Sequence, residues 1–247
     1  MPFLQRISFE WDKASADLHR YPFNIEALRR MDELEIEGNV TFFIGENGSG
    51  KSTLLESLAL LCGFNTVGGQ HSLLEKEKDD MSLSSVMSLS WMLKVNNGFF
   101  FRAETFNAFA DYIDELAKDP WNEPQRVYQA YGGKSLNEQS HGQAFLSLFK
   151  NRLGGAGIYL LDEPESALSP QNQLAFMRII WELERAGNSQ FIIATHSPIL
   201  LAYPGATILS FDRSPIGEID YEETDHYRLT KEFLNDRGRY FRTLFEE

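Results

Sequence analysis

A run of glycines, hydroxyls and one lysine, "GENGSGKST", occupies residues 45–53 between the apolar stretches "VTFFI" and "LLESLALL". Gly45, Gly50, Lys51 and Ser52 satisfy the pattern G-x-x-x-x-G-K-[ST], with a predicted strand before the loop and a predicted helix after it. Glycines in that setting let backbone N–H groups turn inward around a phosphate, and the helix N-terminus adds its positive dipole end. We therefore predict a phosphate-binding loop rather than a chance glycine turn.

The residue types in this loop have distinct expected tasks. Lys51 is expected to reach the β- and γ-phosphates of a nucleotide triphosphate, and the Ser52 hydroxyl is expected to ligate Mg²⁺. The residues predicted to bind the nucleotide at this loop are Gly45, Asn47, Gly48, Ser49, Gly50, Lys51, Ser52 and Thr53.

Two adjacent carboxylates follow another apolar run, "IYLLDEP", at residues 158–164. Four apolar residues place Asp162 at the carboxyl end of a predicted buried strand, where ligands of open α/β sheets bind. Asp162 is expected to hold Mg²⁺ through its water shell, and Glu163 to orient or deprotonate an attacking water. The alternative is that both carboxylates are solvated turn residues without a role in a site. A phosphate loop in the same sheet argues against that alternative.

A histidine ends the next apolar run, "QFIIATHSP". His196 is predicted to lie at the same sheet edge as Asp162 and Glu163, because carboxyl ends of parallel strands meet there. At that edge it could hydrogen-bond a γ-phosphate or the attacking water. A purely structural histidine is the alternative.

The composition restricts the possible partners and compartments. The formal net charge of −13 argues against unaided nucleic-acid binding, since phosphate contacts usually require a basic surface. A single cysteine excludes a disulfide within the chain. The start lacks a signal-peptide pattern, and no apolar run reaches the length of a membrane span. We expect a soluble protein of the reducing cytoplasm.

Alternating strand and helix patterns place these residues in one α/β domain. Short, continuously apolar strands between amphipathic helices predict a mostly parallel sheet covered on both faces. We assign residues 1–64 and 154–212 to a nucleotide-binding core, residues 65–153 to a mainly helical lobe and residues 213–247 to a C-terminal extension. Within the lobe, residues 119–140 are rich in Pro and Gly and predict a long irregular connection.

The motifs "GENGSGKST", "LLDEP" and "THS", in this order and spacing, resemble the ATP-binding-cassette (ABC) ATPase family. That family carries a signature sequence, LSGGQ, before a helix of its helical lobe. This chain has "QSHGQ" at residues 139–143, where Ser140, Gly142 and Gln143 match the signature and Gln139 and His141 do not. The resemblance implies that the three matching residues contact the γ-phosphate held by another subunit. The alternative is a plain helix start with Ser140 as its N-cap.

The same resemblance implies an α/β P-loop NTPase fold with a mostly parallel sheet, N-terminal antiparallel strands and a helical lobe. At some positions this sequence differs from the family pattern. Glu104 stands where a glutamine near Mg²⁺ is usual, so it is a candidate metal ligand or a structural residue. Ser169 stands where an aspartate is common, and Tyr21 or Phe23 is the candidate for stacking on adenine.

In function, the chain most resembles small stand-alone bacterial ATPases of the AAA/ABC type. The resemblance implies a soluble Mg²⁺-dependent ATPase that binds ATP in a head-to-tail homodimer, hydrolyses it at Glu163 and drives conformational change in a partner protein. Nucleases, toxins and DNA-repair or phage-defence proteins are the partners this implies. The alternatives are the ATP-binding subunit of a membrane transporter and a binding module with little turnover. A chromosome-type ATPase is disfavoured, because the chain has no room for long coiled-coil arms.

Overall fold

Two β-sheets organise the part of the chain that the computed structural model describes, residues 1–13, 18–64, 82–153 and 156–245. The strands in chain order are β1 (Leu4–Phe9), β2 (Glu33–Glu35), β3 (Val40–Ile44), β4 (Met87–Trp91), β5 (Gly98–Arg102), β6 (Gly157–Asp162), β7 (Ser189–Ala194), β8 (Thr207–Ser210) and β9 (Gly217–Glu218). The α-helices are α1 (Glu26–Arg29), α2 (Lys51–Leu61), α3 (Phe106–Lys118), α4 (Pro124–Gln129), α5 (His141–Arg152), α6 (Pro170–Arg185), α7 (Pro198–Leu201), α8 (Asp225–Asn235) and α9 (Arg237–Phe245).

The larger sheet is mostly parallel and has the strand order β5-β6-β7-β3-β8-β9. Neighbouring strands from β5 to β8 pair in parallel, and β9 closes one edge antiparallel to β8. Every residue of β3, β6 and β7 is buried, as expected for strands covered by helices on both faces. The mostly parallel α/β fold predicted from the apolar runs is therefore confirmed.

The smaller sheet is antiparallel, with the order β2-β1-β4. A fully buried glutamine joins it to the larger sheet. Gln190 of β7 accepts hydrogen bonds from the backbone N–H groups of Phe3 and Leu4 at 3.0 and 2.8 Å, and its amide donates to Leu4 O at 2.9 Å. A buried amide is tolerated when its hydrogen bonds are made, so Gln190 fixes the position of β1.

Two apolar clusters cover opposite faces of the larger sheet. One packs α2 between the two sheets, and the other packs α3, α5 and α6 on the remaining face. Phe145 of α5 lies at the centre of the second cluster, with ring centroids 4.4 Å from Phe149, 4.8 Å from Phe101 and 5.7 Å from Phe176. These contacts tie the helix that follows the "QSHGQ" segment to β5 and to α6.

The region between the phosphate loop and Ser140, predicted to be a mainly helical lobe, also supplies strands. Residues 65–81 of the predicted lobe lie outside the described residues, and the rest supplies β4 to the small sheet and β5 to the large one. The predicted irregular connection at 119–140 contains the short helix α4. Pro124 occupies the first turn of α4, where its missing N–H costs nothing, and the Tyr128 hydroxyl donates to Asp114 of α3 at 3.1 Å. Among the described helices, none is long and apolar enough to cross a membrane.

We expect Phe145→Ala to lower the free energy of unfolding by about 3–5 kcal/mol, because it removes a fully buried ring and leaves a cavity. Urea denaturation measures this loss. The control is Trp121→Ala, at a side chain 94% exposed, which should change stability by no more than about 0.5 kcal/mol. A loss below about 1 kcal/mol for Phe145→Ala would contradict the packing described for α5.

Candidate functional site

The loop between β3 and α2 has the backbone form that the sequence pattern requires. Gly48 has φ of +84° and Gly50 has φ of +105°, in the left-handed region that side chains other than glycine rarely adopt. A Cβ on Gly50 would also lie 2.7 Å from Ile25, whereas a Cβ on Gly48 would meet open space. The loop is therefore packed against the protein at its end and open at Gly48.

Lys51, the first residue of α2, is buried inside this loop. Its Nζ donates hydrogen bonds to Gly45 O at 2.6 Å and to Glu46 O at 2.9 Å. Burial lowers the pKa of Lys51, and the carboxylates of Asp212 and Glu163 act in the opposite direction. The ammonium group therefore lies under the loop with carboxylates around it, where it can contact an anion bound at the loop.

Asp212 was not among the residues predicted to belong to the site. It follows β8, and its Oδ1 accepts the backbone N–H of Glu46 at 2.7 Å, which anchors one side of the loop. The available signal was its position after the apolar run "ATILSFD", which places it at the same sheet edge as the other candidates.

Asp162 connects three elements at the end of β6. Its Oδ1 accepts the Ser52 hydroxyl of α2 at 3.0 Å, and its Oδ2 accepts Arg102 Nε of β5 at 2.9 Å. Arg102 also pairs with Glu56 at 3.5 Å. Ser52 and Asp162, both predicted to bind Mg²⁺, are therefore in contact, and their oxygens are of the type that this cation prefers. Sequence reasoning missed Arg102, although it ends the apolar run "GFFFR" and is the register partner of Asp162.

Glu163 is the single non-glycine residue with positive φ in the described parts of the chain, at φ 49° and ψ 51°. That conformation costs about 1–2 kcal/mol for an ordinary residue, and strain of this kind clusters at functional sites. The Glu163 N–H donates to Ala194 O of β7 at 2.9 Å, which holds the turn in place. The side chain is left 40% exposed, with Oε1 3.8 Å from His196 Nε2.

His196 follows β7 and is held through both its backbone and its ring. Its backbone N–H donates to Glu165 Oε1 at 2.6 Å, and its Nδ1 lies 3.0 Å from His226 Nε2 of α8. Burial lowers the pKa of both histidines, with the nearby Lys51 charge next for His196 and His196 next for His226. Both rings are therefore neutral near pH 7. His226 lies in the predicted C-terminal extension and was not among the predicted site residues.

A cavity of about 270 Å³ lies beside these side chains. Its lining residues are Tyr21, Ser52, Thr53, Glu56, Arg102, Glu104, Asp162 and Glu163. Glu104 thus lies at the cavity, while the group that contacts Asp162 from this strand end is Arg102. Of the two aromatic candidates for adenine, Phe23 is fully buried in the core, whereas Tyr21 is 67% exposed and its hydroxyl lies 2.8 Å from Thr53 Oγ1.

The "QSHGQ" segment lies apart from this cavity, whose lining in the described chain includes none of Ser140, Gly142 and Gln143. Ser140 occupies the N-cap position of α5, but its exposed hydroxyl makes no capping hydrogen bond. Gly142 packs closely on α6, where an added Cβ would lie 2.5 Å from Asn172 Nδ2. Ser169, by contrast, does cap its helix, because its hydroxyl accepts the Asn172 N–H at 3.3 Å.

Two family models match the chain. Residues 143–202 match the model described as "AAA domain, putative AbiEii toxin, Type IV TA system", and residues 23–114 match a model described as "AAA domain". The second match contains the phosphate loop, and the first contains Asp162, Glu163 and His196. The motif-bearing segments therefore match ATPase models.

Two of the curated relatives are ATP-binding proteins of export systems. The cytochrome c biogenesis ATP-binding export protein CcmA of Rhodospirillum rubrum is 28% identical over 208 residues, which cover 81% of this chain and 82% of the relative. The macrolide export ATP-binding/permease protein MacB of Bradyrhizobium diazoefficiens is 28% identical over 177 residues. That match covers 65% of this chain and 26% of MacB, so the chain spans about a quarter of that relative's length.

A solved structure shares the fold. The ADP conformation of an ATP-binding cassette of an ABC transporter superposes with a TM-score of 0.51 at 19% sequence identity, and 100% of each chain is covered. Lys51 and Ser52 lie within the segment matched by the second model, and Asp162 lies within the segment matched by the first. The family-model matches, the ATP-binding relatives and the shared fold together support an ABC ATPase-type P-loop domain in this chain.

Proposed function

We propose that this chain is a Mg²⁺-dependent ATPase that closes head-to-tail with a second copy around two ATP molecules and uses hydrolysis to drive conformational change in a partner protein. One observation carries the dimer: the exposed N-terminus of α5, with Ser140, lies outside the cavity that contains Ser52, Asp162 and Glu163 of the same chain. A γ-phosphate at that cavity would therefore meet Ser140 only from another copy.

The phosphate loop would bind the phosphates of the nucleotide. Backbone N–H groups at the start of α2 and the buried Lys51 ammonium offer positive charge to the phosphates. Tyr21 is the exposed aromatic available to the base. Bound Mg²⁺ would neutralise phosphate charge, with Ser52 and Asp162 as its proposed holders and Glu104 as a further candidate at the same cavity.

The hydrolytic groups are Glu163 and His196. The strained turn at Glu163 presents a half-exposed carboxylate to the cavity, where it can orient a water and accept its proton. His196 Nε2, 3.8 Å from that carboxylate, is placed to donate a hydrogen bond to the γ-phosphate or to the water. A neutral His196 can make this hydrogen bond, because a neutral imidazole carries one N–H donor.

The second copy would supply the remaining contacts to the γ-phosphate. The free hydroxyl of Ser140, the backbone N–H groups at Gly142 and Gln143, and the positive end of α5 would face the γ-phosphate across the dimer. Ser140 is available because its hydroxyl does not cap its own helix. ATP would then act as the link between copies, and hydrolysis would release them.

The partner is proposed to be a protein, with DNA-repair or phage-defence proteins as the candidates. The toxin-system description of one family model supports that choice, and the net charge of −13 disfavours direct nucleic-acid binding. A transporter subunit is the second candidate, favoured by the length match to CcmA. Mass spectrometry of proteins that co-purify with Glu163→Gln separates the two: integral membrane subunits would support transport, and water-soluble proteins would support the first proposal.

We expect Lys51→Ala to weaken ATP binding roughly 100-fold, because a buried charge-assisted contact contributes up to about 3 kcal/mol. Isothermal titration calorimetry with a slowly hydrolysed ATP analogue measures the affinity. Lys134→Ala, which removes an exposed lysine far from the loop in sequence, should bind like the wild type. Unchanged affinity for Lys51→Ala would refute the phosphate-loop assignment.

We expect Glu163→Gln to reduce ATP turnover roughly 100- to 10,000-fold and to accumulate a dimer with Mg²⁺ and ATP, since the link is then no longer hydrolysed. Light scattering coupled to gel filtration gives the mass. The same variant without nucleotide, and Lys51→Ala with nucleotide, should both be monomeric. A Glu163→Gln monomer at saturating ATP would rule out the head-to-tail model.

A mixing experiment tests whether Ser140 acts across the dimer. Ser140→Arg and Lys51→Ala should each be inactive alone, the first by blocking the second half of the site and the second by losing the grip on phosphate. Mixed, they should regain up to half of the wild-type ATPase rate per dimer, because one of the two sites combines an intact loop with an intact Ser140. If the mixture stays inactive, Ser140 does not act in trans.

A further inference from the structure

The residue that the ATPase motifs leave unexplained at this site is His226. It is the second residue of α8, and its Nε2 lies 3.0 Å from His196 Nδ1, with ring centroids 5.2 Å apart. An N···N distance of 3.0 Å between two rings requires one hydrogen between them. The contact is therefore a directed hydrogen bond rather than ring packing alone.

The start of α8 is fixed at this place by its own hydrogen bonds. Thr224 is fully buried, caps α8 by accepting the Tyr227 N–H at 3.3 Å and donates to Tyr221 O at 2.8 Å. The Tyr221 hydroxyl in turn donates to Pro198 O at 2.9 Å, two residues beyond His196. The turn that carries His226 is thus attached to the segment that carries His196.

The direction of the hydrogen bond follows from what His196 Nε2 faces, since His226 Nδ1 is buried without a hydrogen-bond partner among the described residues and favours neither direction. His196 Nε2 is buried, lies 3.8 Å from the Glu163 carboxylate and makes no hydrogen bond to the described protein. A lone pair on Nε2 would oppose the lone pairs of Glu163 and of any phosphate oxygen, so the proton belongs on Nε2. His196 Nδ1 then carries the lone pair, and His226 Nε2 must be the donor.

We propose that His226 is a positioning residue: its Nε2–H donates to His196 Nδ1 and holds His196 as the tautomer whose proton is on Nε2, directed at Glu163 and the γ-phosphate. The inference rests on the proposed role of His196 at the phosphate. The same hydrogen bond fixes the ring orientation of His196, since rotation of the ring by half a turn would break it. His226 itself is not among the described residues that line the cavity.

The charged groups around the pair are consistent with two neutral rings. Lys51 of α2 opposes a positive charge on either ring, while Asp212 after β8 favours one. Asp162 of β6 adds to that attraction at His196, and Asp225 of α8 adds to it at His226. Burial lowers the pKa of both rings, together with Lys51 at His196 and with the neighbouring His196 at His226. One shared proton between two neutral rings agrees with both directions.

The test compares two substitutions at one position. Glutamine places an amide N–H close to where the histidine Nε2–H lies, whereas leucine fills similar space without a donor. We expect His226→Leu to lower kcat for ATP hydrolysis roughly 10- to 100-fold with KM for ATP nearly unchanged, and His226→Gln to recover kcat to within about threefold of wild type. Leu229→Gln, at a 59% exposed site of the same helix, should leave both constants unchanged.

Nitrogen-15 NMR of the imidazole groups tests the tautomer directly, with the His196 resonances assigned from a His196→Gln variant. In the wild type, His196 should carry its proton on Nε2, and His226→Leu should give a mixture of the two tautomers. A His196 proton on Nδ1 in the wild type, or equal kcat for the leucine and glutamine variants, would overturn the inference. If the wild type itself hydrolysed no ATP, the proposed function would fail, while the NMR result would still decide the role of His226.

Discussion

The site depends on one buried carboxylate, that of Asp162. Asp162 is only 4% exposed. Removing a carboxylate charge from water costs several kcal/mol unless its oxygens accept hydrogen bonds or pair with a cation. Ser52 occupies one oxygen and Arg102 the other, so the start of α2, the end of β5 and the end of β6 are held at one point. The parallel register, with Arg102 beside Asp162 and Asp162 beside Ala194, makes that meeting possible.

The balance of charge at this sheet edge explains why a cation is expected with the nucleotide. Lys51 and Arg102 provide positive charge, while Asp162, Glu163, Glu165 and Asp212 provide negative charge around the same loop. A triphosphate entering there adds further negative charge. The amides at the start of α2 and a divalent cation near Ser52 and Asp162 are the physical means by which such a site can accept it.

The C-terminal extension is hydrogen-bonded to the segment that carries His196. Tyr221 donates a hydrogen bond to the backbone of Pro198, and His226 is hydrogen-bonded to the ring of His196, so two hydrogen bonds join the extension to the segment after β7. A displacement of α8 relative to β7 would change the orientation of His196. On the proposed mechanism, a protein that moves this extension would thereby influence hydrolysis without contacting the nucleotide.

The sequence alone determined the parts that depend on local chemistry. Buried parallel strands appear in the sequence as continuous apolar runs, so the fold class was predicted correctly. The glycines, lysine and serine of the predicted phosphate loop are contiguous, so the sequence could indicate this turn, and its binding of phosphate stays a prediction. The roles of all the predicted site residues, including Ser140, Gly142, Gln143 and Glu104, remain predictions, since they depend on bound ligands or on a second copy. The choice of Tyr21 over Phe23 needed the burial of Phe23, which no local pattern indicates.

Only the tertiary structure decided which distant side chains complete the site. Arg102 and Asp162 are 60 residues apart, His196 and His226 are 30 apart, and Glu46 and Asp212 are 166 apart. Sequence patterns report the periodicity of a segment and the conformation of its backbone, but the pairing of strand ends and the docking of α8 are set by packing across the whole core. The motifs therefore predicted what the site binds, and the fold determined which groups hold those motifs in place.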